Sequence, residues 1–317
     1  MTSFIIEHQC PQCGAPAELE ETDRLFQCGY CRVKSYLTVP DYFRYTLPHH
    51  APAGKELFYF PYWRFKGMLF SCLKKNIDMR FLDISHQALG SVHFPVNIGF
   101  RGQTQKLHFA AAREGCTFVR PDVAFEDVLA LWREQFSAKL PKPILHQDFI
   151  GETWSMIYAP FYLGARVMDA VLNEPVSTAR ADEITGGLPQ ADNPQWPIDF
   201  LATLCPHCGW DLTGQRDALV LGCDNCHRVW WERKGRLEQL KAAYVPAKDP
   251  DPVYLPFWRI QADVSPMALE TYADLVKAAN LPKVVQPGWD RTPFYFWNPA
   301  FKVRPQSYLT IASNVTL

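Results

Sequence analysis

Eight of the chain's ten cysteines fall into Cys-x-x-Cys pairs. Cys10-Pro-Gln-Cys13-Gly14 is followed by Cys28-Gly-Tyr-Cys31, and Cys205-Pro-His-Cys208-Gly209 by Cys223-Asp-Asn-Cys226. In each set fourteen residues separate the inner cysteines, and the two sets are offset by 195 residues. A Cys-x-x-Cys turn places two sulfurs on one side of a metal ion. Two such turns complete a tetrahedral thiolate shell of the kind zinc takes. Two Zn2+ per chain are therefore expected, one on Cys10, Cys13, Cys28 and Cys31, the other on Cys205, Cys208, Cys223 and Cys226. Four thiolates around Zn2+ leave a net charge of −2. Gly14 and Gly209, just after the first knuckle of each set, permit a tight backbone whose amides point at the sulfurs.

Other chemistries of cysteine fit less well. A thioredoxin-like dithiol uses one Cys-x-x-Cys at the start of a helix, not two converging pairs. Iron also accepts four sulfurs tetrahedrally, so rubredoxin-like electron transfer is the rival reading. Only the first knuckle of each set has the rubredoxin form Cys-Pro-x-Cys-Gly, and the second knuckles depart from it. A catalytic zinc keeps one position open, whereas four cysteines fill the shell. His8, His207 and His227 lie beside the knuckles as alternative ligands, and the full shells favour reading them as surface residues. Cys72 and Cys116 stand among small or apolar neighbours and are expected to be buried.

Short strands must carry the knuckles: Leu25-Phe26 and Val33 to Val39 in the first set, Leu219-Val-Leu221 and Val229-Trp-Trp231 in the second. That is the plan of a zinc ribbon. The register of the repeat continues into an aromatic segment, Phe58-Tyr-Phe-Pro-Tyr-Trp-Arg-Phe65, matched by Val253-Tyr-Leu-Pro-Phe-Trp-Arg-Ile260. Looser echoes occur at Ile157-Tyr-Ala-Pro-Phe-Tyr-Leu163 and Phe294 to Phe301. Proline cannot donate to a ladder, so Pro61 and Pro256 belong at an edge, a strand start or a bulge. Aromatics at successive positions point to both faces of a strand, so these strands should be covered on both sides. Stacking of bases on the same rings, with Arg64 and Arg259 assisting, is the alternative. Residues 77–118 read as several strands with turns at Gly90, Gly99 and Gly102. Phe125, Val128, Leu129, Trp132 and Phe136 share one face of a helix over 122–140, with Asp122 as its N-cap and Pro141 as its stop. Ser265-Pro266 predicts a second helix running to about Ala279.

The expected organisation is α+β and β-rich, with two zinc-ribbon modules on an internally duplicated body. Ribbon 1 occupies 1–40, body 1 41–172, a Pro/Gly-rich linker 173–198, ribbon 2 199–235 and a shorter body 2 236–317. The apolar stretch from Trp154 to Leu172 is interrupted by Pro160, Gly164, Arg166 and Asp169, so it reads as a buried strand and not a transmembrane segment. The N-terminus has no basic start and no long apolar run. Without a secretion signal, paired cysteines favour metal sites in a reducing cytoplasm.

Formal net charge is −1. Residues 1–40 hold five acids and three bases, and residues 200–245 five acids and six bases. Neither ribbon is the basic module that phosphate binding requires, which argues against nucleic acid as the main partner. No Walker loop or Gly-x-Ser-x-Gly elbow is present, and His49-His50 reads as a solvated turn, so the chain leans away from an enzyme. The ribbon with its Tyr-x-Pro-Tyr-Trp strand resembles a group of uncharacterised bacterial zinc-ribbon proteins. The ribbons alone, about 75 residues, are similar to those of transcription factors and RNA polymerase subunits. The resemblance implies a bacterial, soluble protein and carries no activity. The expectation is a non-enzymatic zinc-binding scaffold or adaptor acting on an unidentified protein partner. A nucleic-acid-associated accessory factor is the alternative.

Overall fold

A computed structural model of the chain describes residues 4–99, 106–111, 115–180, 183–184, 187–191, 196–262 and 268–317. The fold is α+β and β-rich, with nineteen strands and three helices among those residues. It divides into two compact units, Met1–Ala243 and Tyr244–Leu317.

The first unit is organised by two long strands. β6 (Leu57–Leu73) and β10 (Ile144–Leu163) pair antiparallel over their lengths. The two Tyr-x-Pro segments meet there: Pro61 lies opposite Tyr158, and Tyr59 opposite Pro160. The prolines are tolerated in mid-strand because each falls where a flank changes partner. On one flank of β6, β9 (Cys116–Phe118) pairs with Leu57–Tyr59, and β7 (Ile77–Gln87) takes over from Tyr62. The carbonyl of Pro61 accepts from Ala88 N–H on that flank, so its missing N–H falls in the gap between β9 and β7. On the outer flank of β10, β5 (Phe43–Thr46) pairs with Ser155–Tyr158, and β11 (Arg166–Asp169) begins at Phe161. Pro160 accepts from Ala170 N–H in that gap. The sheet continues from β5 through β8 (Leu107–Phe109) to β1 (Ile5–Gln9) and β2 (Pro16–Glu20), and from β11 to β12 (Pro175–Arg180).

Alternation sends the aromatics of β6 into two cores. Phe58, Phe60 and Tyr62 join Ile157, Ala159 and Phe161 under ribbon 1, with Ile6, Leu19 and Leu37. Leu57, Tyr59, Trp63 and Phe65 join Met156 and Tyr158 on the opposite face, under α1 (Phe125–Ser137). Both faces are covered, as the sequence predicts. Trp63 is 4% exposed, and its Nε1 donates to Val123 O at 2.8 Å. Trp63→Ala is expected to cost about 3–5 kcal/mol in urea unfolding. A loss under about 1 kcal/mol would mean that the site collapses around the cavity. Trp258, its counterpart, is only half-buried.

Several expectations are corrected. The N-cap of α1 is Ala124, with no side-chain bond, and the Asp122 carboxylate accepts instead from Gly90 N–H. The second helix, α2 (Tyr272–Ala278), starts at Thr271, which forms a capping box with Asp274. Ser265-Pro266 lies outside the described residues, as does Gly102. The 173–198 stretch is not where the compact units part. It contributes β12, a bridge from Gln190 to Val119, and Trp196 stacked on Tyr158 at 5.1 Å. Ribbon 2 belongs to the first unit. Cys72 and Cys116 are half-buried rather than buried.

The second unit is slighter. Among the described residues β18 (Phe257–Ile260) pairs only with β19 (Phe296–Pro299), and α3 (Pro305–Thr316) packs on β19. Leu269, Leu275 and Phe294 form its small core. The register sets Phe257 against Pro299, so the echo at 294–301 meets its partner in a different register from that of the first unit. Among the described residues no helix is long and apolar enough to cross a membrane.

Candidate metal centres

Each ribbon carries two knuckles; in ribbon 1 both stand at hairpin tips, and in ribbon 2 the first is closed by a single bridge between Leu204 and Asp211. In ribbon 1, β1 and β2 flank Cys10–Cys13, while β3 (Leu25–Gln27) and β4 (Lys34–Thr38) flank Cys28–Cys31. In ribbon 2, β15 (Val220–Cys223) and β16 (Val229–Arg233) carry the second knuckle. The offset of 195 residues carries β4 onto β16 residue for residue, and the Leu25–Tyr36 pair onto Val220–Trp231. The first knuckle of ribbon 2 is entered from β13 (Asp199–Ala202) and left through β14 (Leu212–Thr213).

The knuckles repeat bond for bond. Gly14 N–H donates to Cys10 O and Gly209 N–H to Cys205 O, both at 2.8 Å. These glycines adopt φ of +72° and +73°, the left-handed region where a Cβ is costly. The second knuckles make the same turn without glycine: Arg32 (φ +60°) donates to Cys28 O, and His227 (φ +55°) to Cys223 O. His227 therefore serves the turn through its backbone. His207 and His227 are exposed, and neither joins a quartet. His8 stacks on Phe200, ring centroids 4.9 Å apart, and burial lowers its pKa.

All eight expected cysteines converge into two quartets. In each, the four sulfurs lie within 4.8 Å of one another, with the same order of buried, exposed, buried and half-buried thiols. Across the knuckles, Cys10–Cys31 and Cys13–Cys28 Sγ atoms are 3.7 Å apart. Cys205–Cys226 are at 3.6 Å and Cys208–Cys223 at 3.5 Å. Four sulfurs at a zinc–sulfur distance of about 2.3 Å would stand about 3.8 Å apart, so the spacing fits a tetrahedral ion. It is far beyond the ~2 Å of a disulfide. The donor set could hold a metal ion.

Backbone and side-chain dipoles prepare some of the thiols. Amides of Cys31 and Tyr30 point at Cys28, Tyr30 N–H at 3.4 Å, and bring its pKa down to about 6. The Asn225 side chain and the Trp210 amide do the same for Cys208, also to about 6. Cys31 receives the Val33 amide, which lowers it, but burial and its three sulfur neighbours push it up to about 12. Burial and sulfur neighbours raise Cys226 likewise to about 12. Crowded thiolates repel, and a divalent cation among them removes that cost.

The ribbons also share a core, which the sequence does not announce. Leu25 and Tyr36 of ribbon 1 pack with Cys205, Leu212, Leu221, Cys223 and Trp230 of ribbon 2. β13 pairs with β4, and Arg216 O accepts from Arg24 and Leu25 N–H at 2.7 and 2.8 Å. Tyr36 Oη donates to Ala218 O at 3.2 Å. The repeat could have located the left-handed positions Arg32 and His227, which it superposes. Nothing in it points to Asn225, since Tyr30 stands at the corresponding place.

Compared with known family models, with curated proteins and with solved structures, the chain matches none. The likeness to bacterial zinc-ribbon proteins therefore stands on the quoted residues alone.

Proposed function

We propose that this chain is a non-enzymatic zinc-binding scaffold or adaptor, whose two four-cysteine ribbons hold a rigid surface against another protein in a reducing cytoplasm. The observation that carries the reading is the pair of complete four-sulfur quartets, on two ribbons joined by a shared core of Leu25, Tyr36 and ribbon 2 residues. Cys10, Cys13, Cys28 and Cys31 would hold one Zn2+, and Cys205, Cys208, Cys223 and Cys226 the other. Four sulfurs leave no open position for a substrate or a water, so the ion would act as a cross-link. Zinc is favoured over iron because Arg32 and His227 replace the second glycine of a rubredoxin pair, although sulfur geometry alone suits both metals.

Support for a protein partner comes from the knuckle surfaces. Tyr30 is 72% exposed and Trp210 58% exposed, each beside a quartet. Exposed Tyr and Trp on rigid elements are the usual anchors of protein interfaces. Trp210→Ala is expected to leave two zinc ions in the protein while abolishing recovery of a stoichiometric partner from lysate of the native cell. Elemental analysis and pull-down with the variant and wild type check this together. Equal recovery by both would remove the ribbons from the interface. Submicromolar, steeply salt-dependent binding to DNA or RNA would replace the adaptor by a nucleic-acid factor.

A further inference from the structure

β6, β7 and β10 extend beyond the rest of the ten-stranded sheet as a three-stranded arm. Gly67–Cys72 pairs with Ile77–Leu82 on one side, and Leu73 and Cys72 pair with Ile144 and His146 on the other. The helix α1 covers one face. Arg80 lies over the Phe136 ring at 4.7 Å, and Ser137 donates to Gln147, which donates to Ser71. Alternation turns Met68, Phe70, Met79 and Phe81 to the opposite face, where all four are half-buried. Ile150, on the same face, is 54% exposed.

The tip of this arm is basic. It is built from the β6–β7 turn and from the segment joining α1 to β10. Lys74 and Lys75 stand on the first, Lys139 and Lys142 on the second, and all four are exposed. No acidic residue occurs in 67–77 or in 135–147. Just outside these stretches, Asp148 is paired with Arg133 at 2.5 Å, and Asp78 stands in register with Ser71 on the α1 side. Between the lysines, Leu145 is 66% exposed and Ile77 42% exposed. A chain of net charge −1 thus gathers four lysines and two exposed aliphatic side chains at one end of one arm.

We propose that the tip of the β6–β7–β10 arm docks on an anionic lipid bilayer, the lysines meeting headgroups and Leu145 and Ile77 entering the acyl boundary. The charge chooses the sign of the partner. The aliphatic side chains choose its phase, because Leu and Ile gain from leaving water only where an apolar medium receives them. A nucleic acid would use the lysines and leave both aliphatics in water, and among the described residues no exposed Phe, Tyr or Trp stands at the tip to stack a base, His146 being the one exposed ring there. The protein would then be peripheral, consistent with the lack of any helix able to cross a membrane among the described residues. The inference goes beyond the adaptor reading, since none of these residues belongs to a ribbon.

Cosedimentation of the whole chain with phosphatidylcholine vesicles, with and without phosphatidylserine, tests it. Binding to the phosphatidylserine vesicles is expected, falling with salt, and little to phosphatidylcholine alone. Each lysine near an anionic surface contributes roughly a fivefold factor. The variant Lys74→Gln/Lys75→Gln should lose about 25-fold, and the four-lysine variant several hundred-fold. Leu145→Ser should lose about tenfold or more. Lys248→Gln, an exposed lysine of the second unit, should lose nothing. Circular dichroism and metal content matching wild type establish that the variants fold, as exposed positions allow. No pelleting with phosphatidylserine vesicles overturns the proposal. So does binding that Leu145→Ser leaves intact and duplex DNA competes away, which marks a polyanion site. Either failure leaves the metal content, and with it the adaptor reading, untouched.

Discussion

With a zinc ion on each quartet, as proposed, Cys223→Ser is expected to loosen both ions, not one. Cys223 is 3% exposed and belongs to a quartet and to the shared core at once. Loss of one ligand from a closed site removes part of the ~10–16 kcal/mol of apparent zinc affinity on which such a module folds. Ribbon 2 then no longer covers Leu25 and Tyr36, which lie on the hairpin carrying Cys28 and Cys31. The bonds from Arg24 and Leu25 to Arg216 and from Tyr36 to Ala218 lose their acceptors' fixed positions. The affinity of the first site should fall by about 5–150-fold, the usual span of coupling between sites. Ribbon 1 stays partly formed because β1 and β2 remain in the large sheet. Because coupling between two ligands is reciprocal, Cys28→Ser should weaken the second site by a similar factor. Elemental analysis and chelator competition on the single variants read this out. One ion per Cys223→Ser chain, held as tightly as in wild type, would show that the ribbons bind independently.

What was legible in the sequence was local or repeated. Cysteine spacing fixes ligand chemistry over a few residues, and the quartets follow from it. The 195-residue offset carries hairpin register, knuckle bonds and the sign of φ from one ribbon to the other. The alternation of Phe58 to Phe65 correctly announced a strand with two covered faces. Illegible were pairings between distant segments. Nothing about Asp199–Ala202 says that it adds to Lys34–Thr38 rather than to its own ribbon. That pairing, with the Arg216 bonds and the shared core, joins ribbon 2 to the first unit, while β12, the Gln190 bridge and Trp196 tie 173–198, whose prolines and glycines look like a boundary, into the same unit. The helix errors have a similar cause. Ser265-Pro266 is a good local start signal, but the described helix starts at the Thr271–Asp274 box, whose reciprocal bonds satisfy backbone donors at its first turn.

The motif arginine shows how far two copies of one sequence pattern can diverge in energy. Arg64 is buried, and its guanidinium reaches Glu21 at 3.2 and 3.4 Å, Asp83, and the Phe4 ring at 4.9 Å. Glu21, 1% exposed, sits in the turn between β2 and β3, so this pair fastens ribbon 1 onto β6. Removing one partner of a buried ion pair leaves an uncompensated charge, which costs more than the pair itself contributes. Arg64→Met is therefore expected to destabilise the first unit by about 3–5 kcal/mol. Glu21→Gln should cost less, since Arg64 keeps Asp83. The double variant should cost several kcal/mol less than the sum of the singles, because it strands no charge. Arg259, the equivalent residue at the 195-residue offset, is exposed, has no ion pair among the described residues, and lies over Tyr295 at 4.7 Å. An exposed cation over a half-buried ring contributes about 0.5–1 kcal/mol, so Arg259→Met should cost no more than that. Urea unfolding of the four variants separates the two roles. Equal costs at Arg64 and Arg259 would mean that water reaches the Glu21 carboxylate, and that the ribbon is held to the sheet by its apolar contacts alone.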